Sequence, residues 1–146
     1  MKKLFVGLLL LGSISDFSYA QGVPLKNQEH KALIDYLEDD FTEINTYLRK
    51  GHEGNDLLEK QISLVSLAIK NLDKFDGVTY RGACISNIKR AGNYLKVGST
   101  VVDPGFVSTS KNIEIAYDFI DGNEGCTPIL MRVIGSSAAD VSKYAK

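Results

Sequence analysis

Two kinds of hydrophobic spacing divide this chain, and the switch between them at Gly77 limits what it can fold into. Before it, Leu33, Leu37, Phe41, Ile44 and Leu48 recur at intervals of four, four, three and four. That spacing lays one apolar stripe along a helix. Gly51 follows where a left-handed glycine ends helices. Leu58, Ile62, Val65, Ile69 and Leu72 make a second stripe, opened by Asp56 with Glu59 three residues on, the spacing of a capping box. Glu38, Asp39 and Asp40 lie mostly opposite the first stripe and read as a solvated face. After Gly77 come β-like runs at 78–81, 100–102, 106–109 and 128–134, separated by glycines. A short helical or irregular piece is expected at 86–94. A helix is expected from near Ser110, with Ile113, Ala116, Tyr117 and Ile120 on one side. Without a regular βαβ period the pattern is α+β, an N-terminal helical region against a sheet.

The first twenty residues stand apart from that pattern. Lys2 and Lys3 precede an apolar run at 4–11 and then Ser18-Tyr19-Ala20. This is the layout of a secretory signal peptide, too short to span a bilayer, with cleavage expected after Ala20. A buried N-terminal strand is the alternative, and it leaves the Lys-Lys start unexplained. Residues 21–146 then form one domain, helical over 21–76 and β-rich over 77–146, long enough for one core. Loss of two lysines and one aspartate moves the net charge from −1 to about −2. With no basic run longer than Lys89-Arg90, binding to nucleic acid by counterion release has no support. No later segment is apolar enough to span a membrane, so a soluble secreted protein is expected.

Export would carry Cys84 and Cys126, the two cysteines of the chain, into an oxidising compartment. A disulfide closing a long loop, worth roughly 2–4 kcal/mol, is the simplest outcome, and two free thiols are the alternative. His30 and His52 are scattered and read as solvated. Two cysteines and two histidines so placed do not make a zinc site, and no metal is expected.

Two short motifs carry the chemistry. In Pro104-Gly105-Phe106-Val107-Ser108-Thr109-Ser110, strand alternation puts Ser108 and Ser110 on the side of Phe106, and Thr109 on that of Val107. The plain reading is a strand whose last serine caps the next helix. In Tyr80-Arg81-Gly82, an arginine at a strand end offers a planar fork of donors suited to phosphate, and the glycine lets a ligand approach the backbone. A surface arginine is the plain alternative.

Taken together, FTEINTYLRKG at 41–51, GVTYRG at 77–82 and LKVGSTVVDPGFVSTS at 95–110 come in a telling order. A helix with the spacing of Ala116 and Phe119 follows, and then ILMRV. In this order and spacing the chain resembles the secreted mono-ADP-ribosyltransferase toxins of the arginine–serine–glutamate class, from about Phe41 to Lys146. The resemblance implies a split antiparallel sheet that clamps NAD, used as a substrate, and transfer of ADP-ribose to a host protein. It implies that Ser108 orients the catalytic glutamate and that Thr109 and Ser110 stiffen the strand and the loop after it. Arg81 would steady the pyrophosphate and ribose, and the Gly82 backbone would lie near the nicotinamide carboxamide. Cleavage of the ribose–nicotinamide bond passes through an oxocarbenium-like cation and needs a placed carboxylate. An acceptor arginine, with a pKa above about 12, needs a second carboxylate to remove its proton.

The chain departs from the family at those carboxylates. They belong to a Glu-x-Glu motif before a late strand, and Ser142-Lys143-Tyr144-Ala145-Lys146 stops at its approach. Glu114 and Glu124 precede the last strand and do not match. The expectation is a truncated form whose last strands lie beyond Lys146, binding NAD weakly and nearly inactive. The alternatives are a secreted NAD-binding remnant without the glutamates, and a small structural domain with no NAD binding. No receptor-binding or pore-forming region fits into this length, so entry into a target cell would need a separate partner chain or an injection route.

Overall fold

The computed structural model describes residues 5–7 (backbone), 25–51, 54–85, 92, 96–120 and 125–145. Strand β1 (Phe5–Gly7) is followed by α1 (Asn27–Asp35), a π-helical turn (Tyr36–Asp40), α2 (Phe41–Lys50) and α3 (Asp56–Asn71). Strand β2 (Lys74–Ile85), β3 (Val107–Thr109), α4 (Ile113–Asp118) and β4 (Thr127–Ala139) complete the order. This is the expected α+β arrangement. No helix among the described residues is long and apolar enough to cross a membrane.

The first apolar stripe does not form one regular helix. A π turn interrupts it, so Leu33, Ile44 and Leu48 are buried while Phe41 is left 46% exposed. Tyr36, which the stripe does not contain, is fully buried instead. Gly51 ends α2 with a φ of 98°, the left-handed conformation that glycine adopts without strain. The cap of α3 is Asn55 rather than Asp56: its side chain accepts from the Leu58 N–H at 3.2 Å. The α3 stripe packs as expected, with Leu58, Val65, Ile69 and Leu72 buried and Ile62 partly so. Glu38 and Asp39 are exposed, but Asp40 accepts a hydrogen bond from Gln61 of α3. His30 is exposed and meets the edge of Tyr144; His52 lies outside the described residues.

The sheet is antiparallel, in the order β2-β4-β1-β3. Strands β2 and β4 pair along most of their length and extend well past the expected limits. β1 falls inside the segment read as a leader and pairs with both β3 and β4. The run at 100–102 is not a strand. Val101 and Val102 are exposed there, and among the described residues no neighbouring strand completes a ladder. The piece expected at 86–94 lies mostly outside the described residues. The helix after the hydroxyl strand is short, with Ile115 and Ala116 buried and Tyr117 exposed. Phe106, Ala139 and Val141 join the helical core from the sheet side, which fixes the helices against the start of β3 and the end of β4. Cys84 on β2 is bonded to Cys126 just before β4, at a sequence separation of 42.

Candidate active site

The end of β3 meets β2 at one point, and that point makes the site. The Tyr80 N–H donates to the Ser110 carbonyl at 2.7 Å, and the Ser110 N–H to that of Tyr80 at 2.8 Å. Arg81 is therefore carried beside the hydroxyl strand, and its Nη1 donates to the Ser108 carbonyl at 2.8 Å. Arg81 and Ser108 lie 27 residues apart in sequence, and the bridge and this side-chain bond hold the two motifs together.

Both face a cavity of about 350 Å³. Tyr36, Phe41, Asn45 and Arg49 line it from the helices, and Tyr80, Arg81 and Gly82 from β2. Phe106, Ser108, Thr109 and Ser110 supply another wall, and Ile115, Ala116 and Phe119 close the far side. Strand alternation holds as read from the sequence. Val107 and Thr109 turn to a second cavity of about 90 Å³ against Phe75, Thr79 and Val133. Thr109 borders both, and its Oγ1 is buried without a hydrogen-bond partner among the described residues. Ser110 is not the helix cap. Its hydroxyl accepts from the Asn112 N–H at 3.0 Å, and Asn112 caps α4 by accepting from the Glu114 N–H at 3.0 Å.

Charge in the cavity is cationic. Arg81 is half-buried and pairs with no carboxylate among the described residues. Burial lowers its pKa, Asp103 works the other way, and the guanidinium stays charged. Arg49 forms a two-pronged pair with Asp103, Nε to Oδ1 and Nη2 to Oδ2, each at 2.8 Å. That hydrogen bonding raises the pKa of Arg49 against its partial burial. Burial alone would raise Asp103, but bonds from Arg49 and the Gly105 N–H hold its carboxyl below the usual range.

Two glycines have packing reasons. A side chain at Gly82 would overlap the Ala116 carbonyl oxygen and come within 3.2 Å of the Phe119 Cβ. The missing side chain therefore makes room for α4, and Gly82 lines the cavity as well. A Cβ at Gly105 would lie 2.8 Å from the Asn45 Oδ1 and 3.1 Å from the Arg49 Nη2. Asn45 and Arg49 were not picked out as site residues by the sequence. Their signal was there: a polar pair four apart, beside the apolar stripe of one helix. Tyr36 left no such signal. Among the described residues no carboxylate lines the cavity, and no cluster of His, Cys, Asp and Glu could hold a metal ion. Glu114 is exposed, and Glu124 lies outside the described residues.

A cationic fork and a row of hydroxyls line one apolar-walled cavity, donors of the kind that grip phosphate oxygens. Comparison with known proteins makes that chemistry particular. The family model of the ADP-ribosyltransferase exoenzymes matches residues 15–145, and the chain belongs to that family. It is 30% identical to Vis of Vibrio splendidus, which carries the name of an NAD(+)–arginine ADP-ribosyltransferase, over 81% of this chain and 52% of Vis. The crystal structure of Vis with the inhibitor M6 superimposes with a TM-score of 0.61 at 26% identity, covering 74% of this chain and 50% of that one. Exoenzyme S of Pseudomonas aeruginosa, solved with human 14-3-3 protein beta and carba-NAD, gives 0.60 at 26% identity, covering 77% and 52%. The chain thus spans about half the length of the relatives it matches.

Proposed function

We propose that this chain is the NAD-binding part of a secreted mono-ADP-ribosyltransferase that moves ADP-ribose from NAD to an arginine of a host protein, releasing nicotinamide. The observation that carries the reading is Arg81, a half-buried cation facing the cavity with no carboxylate partner among the described residues. Such a group is ready for the pyrophosphate, which it would grip through charge-assisted hydrogen bonds. Arg49 lines the same cavity, already oriented by Asp103. The hydroxyls of Ser108 and Ser110 suit ribose, and Phe41 and Phe119 offer exposed aromatic faces for a planar ring. Arginine as acceptor is supported by the name of the relative in Vibrio splendidus. Export is supported by the Lys-Lys start, apolar run and Ser18-Tyr19-Ala20 of the leader.

NAD supplies the glycosidic bond that breaks and the leaving group. The protein must supply a carboxylate against the cation that develops. None lines the cavity among the described residues, so this chain should bind NAD with little or no turnover. The same observation favours a second reading, a secreted NAD-binding remnant that lacks the catalytic glutamates. A longer form carrying a Glu-x-Glu motif separates them: turnover supports the transferase, and its absence supports the remnant.

Calorimetric titration of the chain with NAD tests the binding step. The expected result is saturable binding that Arg81→Ala weakens about tenfold or more, the loss of a charge-assisted hydrogen bond. No binding by the unaltered chain, or equal affinity in the variant, overturns the reading. NAD hydrolysis by this chain at the rate of an intact transferase would overturn the expected inactivity.

A further inference from the structure

The hydroxyl strand β3 is three residues long, and its ladder partner comes from the N-terminal leader. β1 pairs antiparallel with all of it: Phe5 with Thr109, Val6 with Ser108 and Gly7 with Val107. Which backbone groups of β3 need that partner follows from its other side. Ser110 exchanges both backbone bonds with Tyr80 of β2, and the Ser108 carbonyl accepts from Arg81 of the same strand. Backbone groups alternate sides along a strand, so those of Val107 and Thr109 turn away from β2, toward Gly7 and Phe5 of β1. By the same alternation Val6 turns to the next strand, and it pairs there with Ala139 of β4. Without β1 the N–H and C=O groups of Val107 and Thr109 lose their partners.

The gap that β1 fills is more than an edge. The order β2-β4-β1-β3 returns to β2 through the Tyr80–Ser110 bridge, so β1 closes a ring of strands. The second cavity, of about 90 Å³, lies between β2, β3 and β4 of that ring, against Phe75, Thr79, Val107, Thr109 and Val133. The Thr109 Oγ1 is buried with no hydrogen-bond partner among the described residues. A ladder to pair a backbone and a small cavity to take a side chain are the elements of strand addition, in which main-chain bonds give affinity and pockets give specificity. The leader has the composition for it. Leu4, Phe5 and Val6 open its apolar run, and phenylalanine and valine favour strands.

We propose that the gap between β3 and β4 is an acceptor site for an extended apolar peptide strand, and that residues 5–7 of the leader occupy it in the unprocessed chain. Tethering holds the leader there at an effective concentration of about millimolar, which so short a ladder needs. Cleavage after Ala20 removes the tether and opens the site, leaving the hydroxyl strand paired with β2 alone. The leader thus acts from outside on the wall that Ser108, Thr109 and Ser110 give the larger cavity.

The test is amide hydrogen exchange on the folded full chain, read in the peptide that contains residues 106–110. Gly7→Pro removes the donor to the Val107 carbonyl and leaves every cavity residue unaltered. Exchange in 106–110 should run about tenfold or more faster than in the unaltered chain, while the β2–β4 pair Thr79 and Val133 keeps its rate. Equal exchange in the two chains overturns the proposal. If Gly7→Pro loosens the whole fold, a second form decides: the unaltered chain with a protease site after Ala20, folded and then cut. A leader that co-elutes with the cut chain, with 106–110 still slow, supports the site. A leader that leaves should speed exchange in 106–110, and added synthetic MKKLFVGLLL should slow it again. Departure of the leader with no change in exchange overturns the proposal. So does a cut chain that doubles in mass, which puts a second copy in the gap.

Discussion

Asp103 shows how the site is held before any ligand arrives. It sits in an exposed loop, yet it fixes the Arg49 fork and the Gly105 N–H at once. Its carboxyl titrates below the usual range because those donors outweigh burial. A folded-state pKa below the unfolded value means that the interaction is fully present above the unfolded value and is lost as pH falls through the folded one. The melting temperature should therefore drop as the pH is lowered from about 5 to about 3, and Asp103→Asn should show a shallower drop. Equal slopes would show that Asp103 is not a source of that acid sensitivity. Arg81 and Ser108 were legible in the sequence through their short motifs, although Arg81 lies within β2 and not at the strand end that the sequence suggested. Arg49 and Asn45 were visible only as letters of a helix motif. Their roles depend on the 103–106 loop, 54 residues from Arg49 for the ion pair and 61 from Asn45 for the backbone bond.

The elements meet through close backbone approaches. α4 lies against β2 so tightly at Gly82 that a methyl group would strike the Ala116 carbonyl. Gly82→Ala should cost about 2–3 kcal/mol of stability, as overpacked sites do, seen as a lower denaturation midpoint. An unchanged midpoint would mean that α4 can shift at no cost. The helical stripes predicted α1 to α3 because burial on one face repeats every 3.6 residues. They did not reveal the π turn, since one extra residue in a turn leaves the apolar spacing almost unchanged. Its effect is large all the same: it exposes Phe41 toward the cavity and puts Tyr36 in the core. The run at 100–102 misled for a complementary reason. β-branched residues favour a strand, but a strand needs a neighbour, and among the described residues none flanks Val101 and Val102 in the sheet order.

Across the whole molecule, helices, sheet and disulfide act on the same region. Cys84–Cys126 ties the end of β2 to the residue just before β4, next to the terminal pair Ile85 and Thr127 and three residues on from Arg81. Reduction should lower the unfolding free energy by about 2–4 kcal/mol, read as a lower denaturant midpoint in thiol-treated protein than in the oxidised form. Identical midpoints would show that the loop was already constrained by other contacts. By itself the sequence determined the α+β class, the two helical faces, the hydroxyl strand and the arginine fork. Each of these follows from local periodicity or from residue chemistry read within a few positions. Tertiary structure alone decided that β2 and the hydroxyl strand touch at Tyr80 and Ser110, that Asn45 and Tyr36 join them, and that Gly82 makes room for a helix. Those outcomes depend on which distant segments pack together, and a spacing pattern along one chain does not encode the partner across the gap.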